Sequence, residues 1–181
     1  MIRKFFAVIA SLLSAFVGEF AYFDNEYRFK LIVPSGWKVN THPAGYPALR
    51  VEASPLRVAR NGKPEACIKV AAAKLRAGSL EQYYKNSAMM YASMWNIDHE
   101  ISTTFKSFPA KDVLLRQCTG VNTTTIRKMF VQVRDCIIVI SCSSTPELFE
   151  RYKPLFDEAL AQFSFEMIPP QTQHDQTYTL T

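Results

Sequence analysis

The stretch at residues 113–142, VLLRQCTGVNTTTIRKMFVQVRDCIIVISC, decides the fold. It contains three runs rich in β-branched and aromatic residues, at 113–118, 126–133 and 136–142. Polar residues separate the runs, with Gly120 and Asn122 in the first gap and Arg134-Asp135 in the second. Runs of this kind between turn residues predict three antiparallel strands joined by tight turns. We take this meander as the centre of the sheet.

Upstream of the meander, the sequence predicts a strand and a hairpin. Apolar side chains alternate with Arg28 and Lys30 over residues 27–33, which is typical of a half-buried strand ended by the turn residues 34–36. We expect Trp37 to fill the core beside that turn. Asn61-Gly62, a strong hairpin signal, joins predicted strands at 48–59 and 65–75.

The predicted hairpin is the most basic region of the chain, and two interpretations of it stay open. Its cations are Arg57, Arg60, Lys63, Lys69, Lys74 and Arg76. Charges of this kind are typical of solvated strand faces and of edges that resist aggregation. The alternative is a surface that binds an anionic partner, for which Arg57, Arg60 and Lys69 are the candidate contacts.

Two amphipathic helices are predicted. Ser79 and Gln82 form a capping-box pattern for a helix over 80–95, and Thr145-Pro146 opens a second helix toward residue 163. The apolar stripe of the first helix is Leu80, Tyr84, Ala88, Tyr91 and Trp95, and that of the second is Phe149, Tyr152, Phe156, Leu160 and Phe163. Tyr83, Met90 and Met94 widen the first stripe beyond what one sheet face needs, so they are candidate partner contacts.

The remaining segments complete an α+β domain. Residues 100–105 predict a short strand, 108–112 a connector into the meander, and Ser164-Phe165 a brief return strand. Helices segregated from a mainly antiparallel sheet predict an α/β/α sandwich with two covering helices. We divide the chain into a signal peptide at 1–21, a domain at 22–167 and a polar tail at 168–181.

The N-terminal residues indicate export. Arg3 and Lys4 precede an apolar run at 5–17, which is the layout of a secretory signal and is shorter than the ~20 residues that a bilayer span needs. Cleavage after Ala21 puts Glu19 where a small residue is preferred, and cleavage after Ala15 puts Leu13 there. An uncleaved anchor reaching Phe23 is the alternative, so whether residues 1–21 are removed stays open.

The four cysteines fit an exported protein without fixing a disulfide pattern. Cys67, Cys118, Cys136 and Cys142 allow three pairings, and none of them forms a C-x-x-C motif. All four lie in apolar, strand-like runs. Buried free thiols and at least one disulfide are both compatible with this pattern.

The sequence offers no group of residues that would support catalysis, a cofactor or a metal. His42, His99 and His174 lack ligand spacing, and no phosphate-binding glycine loop occurs. The chain has 48% hydrophobic and 20% charged residues and a net charge of +5, with Lys and Arg scattered rather than grouped in a stripe. We therefore expect a globular protein that is not an enzyme and has no nucleic-acid partner.

Several landmarks together resemble the PsbP-like superfamily, in particular its bacterial envelope members of the DcrB-like type. They are Val33-Pro34-Ser35-Gly36-Trp37, the helix start at 79–84, Phe108-Pro109-Ala110, and the helix at 149–163 leading into Ser164-Phe165. The likeness covers about residues 24–167. It implies an α/β/α sandwich and a non-enzymatic role in docking onto larger assemblies, as plant members do on photosystem II and a nuclear member does on a small GTPase. The chain departs from DcrB-like lipoproteins in lacking a lipobox cysteine, which argues against a lipid anchor.

Together these features predict an exported, non-catalytic interaction module located in the bacterial periplasm or associated with the outer membrane. Its expected partners are protein subunits of a multiprotein envelope assembly such as a secretion or transport machine. Membrane association would come through the N-terminal segment or through those partners. The alternative function is binding of a small molecule, lipid or glycan between sheet and helix, with Trp37 and Trp95 as stacking groups.

Overall fold

The computed structural model describes residues 20–59, 62–75, 78–91, 93–117 and 123–166. These residues form ten strands and two helices. In chain order they are β1 (Phe20–Asp24), β2 (Phe29–Val33), β3 (Trp37–Thr41), β4 (Leu49–Pro55), β5 (Ala66–Lys74), α1 (Leu80–Tyr91), β6 (Trp95–Phe105), β7 (Phe108–Gln117), β8 (Thr125–Val133), β9 (Cys136–Ser144), α2 (Pro146–Gln162) and β10 (Ser164–Phe165).

The main sheet has seven antiparallel strands in the order β3-β4-β5-β9-β8-β7-β6. The predicted meander is confirmed as β7, β8 and β9, with Leu115 paired to Ile126 and Val131 paired to Ile138. The hairpin of β4 and β5 is confirmed as well. A second, three-stranded sheet in the order β1-β2-β10 includes the predicted return strand Ser164-Phe165.

Alternation along the strands gives the main sheet two apolar faces. We call the first the closed face, which includes Ile68, Val131 and Ile140 and packs against α2 and the small sheet. Its largest buried side chains include Phe29, Phe156 and Phe163, each no more than 1% exposed. We call the second the open face, which includes Val113, Phe130 and Ile137 and packs against α1.

The two helices therefore lie on opposite faces of the main sheet, and the predicted α/β/α sandwich is confirmed. At the start of α1, Ser79 Oγ accepts a hydrogen bond from the Gln82 amide at 3.3 Å, as its capping role predicts. The side-chain Nε2 of Gln82 donates a hydrogen bond to Asn86 Oδ1 at 2.9 Å, one turn further along the helix. At the start of α2, Thr145 makes no side-chain cap and Pro146 occupies the first turn.

Two predictions about the segments around β6 are wrong. The first helix ends at Tyr91 rather than near Trp95, because Trp95 opens β6, an 11-residue strand in place of the short one predicted from residue 100. The predicted connector at 108–112 belongs to β7. The turn between the two strands is Lys106-Ser107, with φ values of 51° and 71°, and it lacks the Asn-Gly signature usual for paired positive φ values.

The small sheet begins inside the segment that we assigned to export. Phe20 pairs with Val33 and Ala21 pairs with Ile32 on β2, while the core contacts of β1 come from the buried Tyr22 and Asp24. Residues 1–19 lie outside the described part, so processing of the chain stays a prediction. Within the described ranges, no helix is long and apolar enough to cross a bilayer.

Candidate functional site

The open face carries an apolar groove of about 410 Å³ between α1 and the β6 edge of the main sheet. Its floor consists of Val113 and Leu115 on β7 and Phe130 on β8. Trp95 and Ile97 on β6 form one wall, and Tyr84, Ala88 and Met89 on α1 form the other. Among the described residues that line the groove, Lys85 is the one with a charged side chain. We call this the α1–β6 groove.

The groove exists because α1 is too short and lies too far from the edge to cover β6. Met89 is 78% exposed and Ile97 is 49% exposed, although both are large apolar side chains. Scattered single apolar residues are normal on a surface, but a contiguous apolar patch around a concave groove is typical of a binding site. The arrangement can bind an apolar side chain or an acyl chain without any chemical step.

A polar network fixes the two walls relative to each other. Lys111 on β7, 5% exposed, places its Nζ 2.7 Å from Glu100 Oε1 and 2.8 Å from Glu81 Oε2. The same Nζ lies 4.2 Å from the centroid of the Tyr84 ring, and the Tyr84 hydroxyl donates to Glu100 Oε2 at 2.6 Å. One buried cation thus joins α1, β6 and β7, so the groove is preorganised rather than formed by a moving helix.

The charges of this network support one another. The Lys111 ammonium and the Tyr84 hydroxyl, both hydrogen-bonded to Glu100, hold the pKa of that carboxyl below its usual range. Burial alone would lower the pKa of Lys111, but its bonds to Glu100 and Glu81 outweigh burial and raise it. Burial and the bond to Glu100 raise the pKa of Tyr84. All three groups therefore keep their neutral-pH charge states, which suits a fixed structural link rather than proton transfer.

The predicted partner contacts on the first helix fall around the groove with different exposures. Tyr83 is half-buried, with its ring centroid 6.4 Å from that of Phe130. Met94 follows the helix and is 47% exposed. The side chain of Met90 lies outside the described part, so its role stays a prediction. Sequence reasoning missed the β6 wall, because Trp95 was placed on the helix and the strand was expected only from residue 100.

The two tryptophans do not form one site. Trp37 packs in the closed-face core, with its ring centroid 6.1 Å from Tyr152 and 6.4 Å from Phe156, as its predicted role in the core requires. Trp95 packs with the open-face cluster and lines the groove. Because the main sheet lies between them, a single small ligand cannot stack on both.

The basic hairpin is likewise divided between two surfaces. Arg57 lies beside Trp37 and Arg151, a residue of α2. Lys69 lies on the open face in a polar groove of about 800 Å³, where its Nζ is 3.5 Å from Glu52 Oε1. Arg60 lies outside the described residues. Lys63, another cation of the hairpin, lines the same polar groove as Lys69. Arg57 lies apart from both, so a role of the hairpin in binding an anionic partner stays a prediction.

The three described cysteines, Cys67, Cys136 and Cys142, are free thiols, and Cys118 lies outside the described part. Cys67 and Cys142 come from the paired strands β5 and β9. Cys67 is paired with Ser143 and Cys142 with Ile68, so the two cysteines belong to successive residue pairs and their side chains point to opposite faces of the sheet. Burial raises the pKa of both thiols, to about 12 for Cys142. Thiols this reluctant to ionise are poor nucleophiles at neutral pH.

Among the described residues, no group of three or more His, Cys, Asp and Glu could hold a metal ion. The polar groove does contain Cys67, whose Sγ lies 3.4 Å from Glu52 Oε1, together with Lys69 and Ser143. The nearby Glu52 carboxylate adds to burial in raising the pKa of this thiol. This arrangement therefore disfavours ionisation of the Cys67 thiol and does not activate it as a nucleophile.

Comparisons with known proteins bear on the fold. No family model and no curated protein sequence matches the chain. Among solved structures, it is similar to a cyanobacterial PsbP (CyanoP) from Synechocystis sp. PCC 6803, with a TM-score of 0.64 and 14% identity over 83% of this chain and 94% of that one. It is also similar to LpqN, described as involved in cell envelope biogenesis of Mycobacterium tuberculosis, with a TM-score of 0.66 and 10% identity over 83% and 91% of the two chains.

A third similar structure is a Pseudomonas aeruginosa protein of unknown function, called a putative regulator, with a TM-score of 0.51 and 13% identity over 83% of this chain and 99% of that one. At these identities the likeness concerns the fold. The fold expected from the sequence is confirmed. Each of these three similar structures is matched over nearly its whole length.

Proposed function

We propose that this chain, which has the PsbP-like fold, is an exported, non-catalytic module that docks onto protein subunits of a multiprotein cell-envelope assembly. The α1–β6 groove is the observation that carries the proposal. It is the place where a partner side chain would be buried, and the assembly would be of the secretion or transport kind.

The character of the groove favours a protein partner. Hot spots of protein interfaces are apolar, concave and surrounded by polar groups that exclude water. Here Met89 and Ile97 form apolar rims, and the Lys111 network lies at one end. Met89 adds a flexible thioether that adapts its shape to a bound side chain. The groove would bind one or two aromatic or aliphatic anchors from a partner.

The absence of a catalytic role is part of the proposal. The thiol pKa values are raised at Cys67 and Cys142, whereas a thiol nucleophile needs a lowered pKa. Lys111 and Tyr84 lower the pKa of Glu100, to which both are hydrogen-bonded, whereas a general acid at neutral pH needs a raised pKa. These features support binding over chemistry.

Two further observations support the cell envelope as the location. The N-terminal residues have the layout of an export signal. LpqN, one of the proteins with a similar fold, is described as involved in cell envelope biogenesis. Periplasmic residence or outer-membrane association would follow from export and from the partners.

A matched pair of variants on one strand tests the proposal. Ile97 and Ile101 on β6 are 49% and 46% exposed, but Ile97 lines the groove, whereas Ile101 pairs with Asp112 on the closed-face side. We expect Ile97→Asp to lose the subunits that co-purify with the wild-type chain from solubilised membranes. Ile101→Asp, equal in charge and exposure, should retain them. Equal retention by both variants would contradict the proposal.

The groove also supports a second candidate function, the binding of an acyl chain or another small apolar molecule. Its volume of about 410 Å³ falls in the range of small-ligand sites, and its lining is almost wholly apolar, which disfavours a glycan. The chain has two tryptophans, so Trp37→Phe leaves Trp95 as the fluorescent reporter. A saturable change in Trp95 emission with a C16 fatty acid, lost in Ile97→Asp, would support this candidate. An unchanged spectrum would exclude fatty acids of that length.

A further inference from the structure

The hairpin between β4 and β5 presents two large apolar side chains to solvent. Leu56, directly after β4, is 74% exposed, and Val58 is 57% exposed. Hydrogen bonding across the hairpin holds them in place, because Val58 forms a β-bridge with Pro64 and the Ala59 amide donates to the Lys63 carbonyl at 2.7 Å. Apolar groups of this size are unfavourable in water, so a well-formed protrusion that carries two of them points to a binding surface.

Two arginines accompany these apolar side chains. Arg57 on the hairpin and Arg151 on α2 are both exposed, and they line one shallow depression of about 340 Å³. The depression also includes Leu56 and Trp37, and no carboxylate belongs to its described lining. The ion pairs found among the described residues involve neither arginine. Positive charge without a neutralising partner therefore lies beside exposed apolar side chains.

Contacts with α2 fix the position of the hairpin. The Tyr152 hydroxyl on α2 donates to Glu65 Oε2, at the base of the hairpin, at 2.8 Å. The Trp37 ring centroid lies 6.1 Å from that of Tyr152, and Trp37 pairs with Pro55, the residue before Leu56. The hairpin and α2 therefore present their apolar and cationic side chains at a fixed spacing, as a preformed surface requires.

We propose that this end of the domain binds the surface of an anionic phospholipid bilayer. Leu56 and Val58 enter the boundary between headgroups and acyl chains, and Arg57 and Arg151 contact lipid phosphates. The protruding shape favours this partner, because a fluid bilayer closes around an apolar tip, whereas a protein partner needs a matching cavity. The two cations favour anionic lipids, since each Lys or Arg near such a surface strengthens binding about fivefold.

This bilayer contact leaves the α1–β6 groove accessible. The hairpin follows β4, near one edge of the main sheet, whereas β6 forms the other edge. The protein can therefore lie on a membrane and offer its groove to a partner at the same time. The proposal goes beyond the proposed function and does not depend on it, because a bilayer can bind the hairpin whether or not a subunit binds the groove.

A tryptophan added to the full chain at one of two exposed positions tests the contact. Leu56→Trp places the reporter on the hairpin, and Tyr46→Trp places it at a 68% exposed residue in the loop at the other end of β4. With vesicles that contain brominated phosphatidylglycerol, we expect the emission added at position 56 to be quenched, because bromine quenches indoles that it contacts. The emission added at position 46 should be unchanged. Equal quenching at both positions, or none at position 56, would overturn the proposal.

Co-sedimentation of the full chain with vesicles separates the apolar and the charged contributions. Leu56→Ser with Val58→Ser should weaken binding to vesicles of phosphatidylethanolamine and phosphatidylglycerol by about tenfold. Arg57→Gln with Arg151→Gln should weaken it by about 25-fold, at about fivefold for each cation, and should leave binding to phosphatidylcholine vesicles unchanged. Tyr46→Ser is the control and should bind like the wild type. All four proteins carry the same N-terminal residues, so differences between them come from the substituted positions.

The outcomes distinguish a bilayer from other partners. Equal binding of all four proteins to the anionic vesicles would overturn the proposal. If the double arginine variant lost envelope subunits on co-purification while its vesicle binding stayed unchanged, an acidic protein surface would be the partner, and the proposal would be overturned as well. Failure of the proposed function would appear separately, as equal partner retention by the Ile97→Asp and Ile101→Asp variants.

Discussion

The two faces of the main sheet differ in how completely they are covered. On the closed face, α2 and the small sheet bury Phe29, Phe156 and Phe163 to 1% exposure or less. On the open face, α1 packs on Phe130 and Ile137 but leaves Ile97 half exposed at the edge. The difference predicts that the closed face contributes most of the stability, and it leaves the open face as the proposed binding surface.

The largest expected effect is on the closed face. Phe156 is 1% exposed and contacts the rings of Trp37, Phe149 and Tyr152. Phe156→Ala should lower the free energy of unfolding by about 3–5 kcal/mol, because truncating a buried aromatic removes apolar contacts and leaves a cavity. Urea denaturation followed by circular dichroism measures this. A loss below about 1 kcal/mol would mean that the closed face is not the stabilising one.

A smaller effect is expected where α1 joins the sheet. Lys111→Met should lower the free energy of unfolding by about 1–3 kcal/mol, because Glu100 and Glu81 lose a charged hydrogen-bond partner. Amides of α1 should also exchange faster than in the wild type. Lys85→Met is the control, since that largely exposed side chain pairs with Glu81 at 3.6 Å and should matter by less than about 1 kcal/mol. Equal losses in the two variants would contradict the described network.

The stability of the small sheet, which packs on the closed face, should depend on pH in the acid range through Asp24. Its carboxylate, on β1, accepts hydrogen bonds from Arg50 Nε at 2.8 Å, the Tyr22 hydroxyl at 3.0 Å and the Tyr27 amide at 2.9 Å. Burial alone would raise the pKa of Asp24, but these bonds, led by that from Arg50, outweigh it and lower the pKa. The ionised form therefore stabilises the fold above the unfolded-state pKa, and this contribution is lost as the pH falls through the folded-state pKa.

Asp24→Asn should accordingly have a lower Tm than the wild type at neutral pH. The Tm difference should shrink as the pH is lowered from about 5 toward 2, where the wild-type carboxyl becomes protonated. Thermal unfolding at several pH values measures it. A Tm difference that stays constant over that range would show that the charge of Asp24 contributes nothing.

The smallest effect is expected at the groove itself. Met89 is 78% exposed, so Met89→Ser should change the free energy of unfolding by less than about 0.5 kcal/mol. The same urea titration as for Phe156→Ala gives a direct comparison. A loss similar to that of Phe156→Ala would mean that the open face stabilises the fold as much as the closed face does.

Most of the closed face could be predicted from the sequence, because its signals are local. β-branched runs separated by polar turns identify β7, β8 and β9, and the alternation over residues 27–33 identifies β2. Pro34-Ser35-Gly36 fixes the turn before Trp37, with Gly36 at φ +77° and the Trp37 amide bonded to the Pro34 carbonyl at 3.2 Å. β1 was missed there, because Phe20 and Ala21 continue the apolar export segment. β3 was missed as well, because Trp37 was expected only to fill the core beside the turn.

The open face was predicted less well, since its decisive features are not local. The aromatic residues Tyr91 and Trp95 continue the helical spacing, which concealed the start of β6. A register shift between Ile97 and His99 breaks the alternation of β6, and Lys106-Ser107 gives no hairpin signal. Tyr83 and Met94 are not among the residues that line the groove, so their role as partner contacts stays a prediction. The β6 wall of the groove depends on strand pairing that composition does not reveal.

Crosslinking in intact cells tests the central claim that the open face is the docking surface. A photo-reactive residue at Met89 would probe the groove, and one at Glu150, exposed on α2, would probe the outer surface of the helix that covers the closed face. The account predicts adducts with envelope subunits from position 89 and a monomer band from position 150. Adducts from position 150 alone, or monomer bands from both positions, would contradict it.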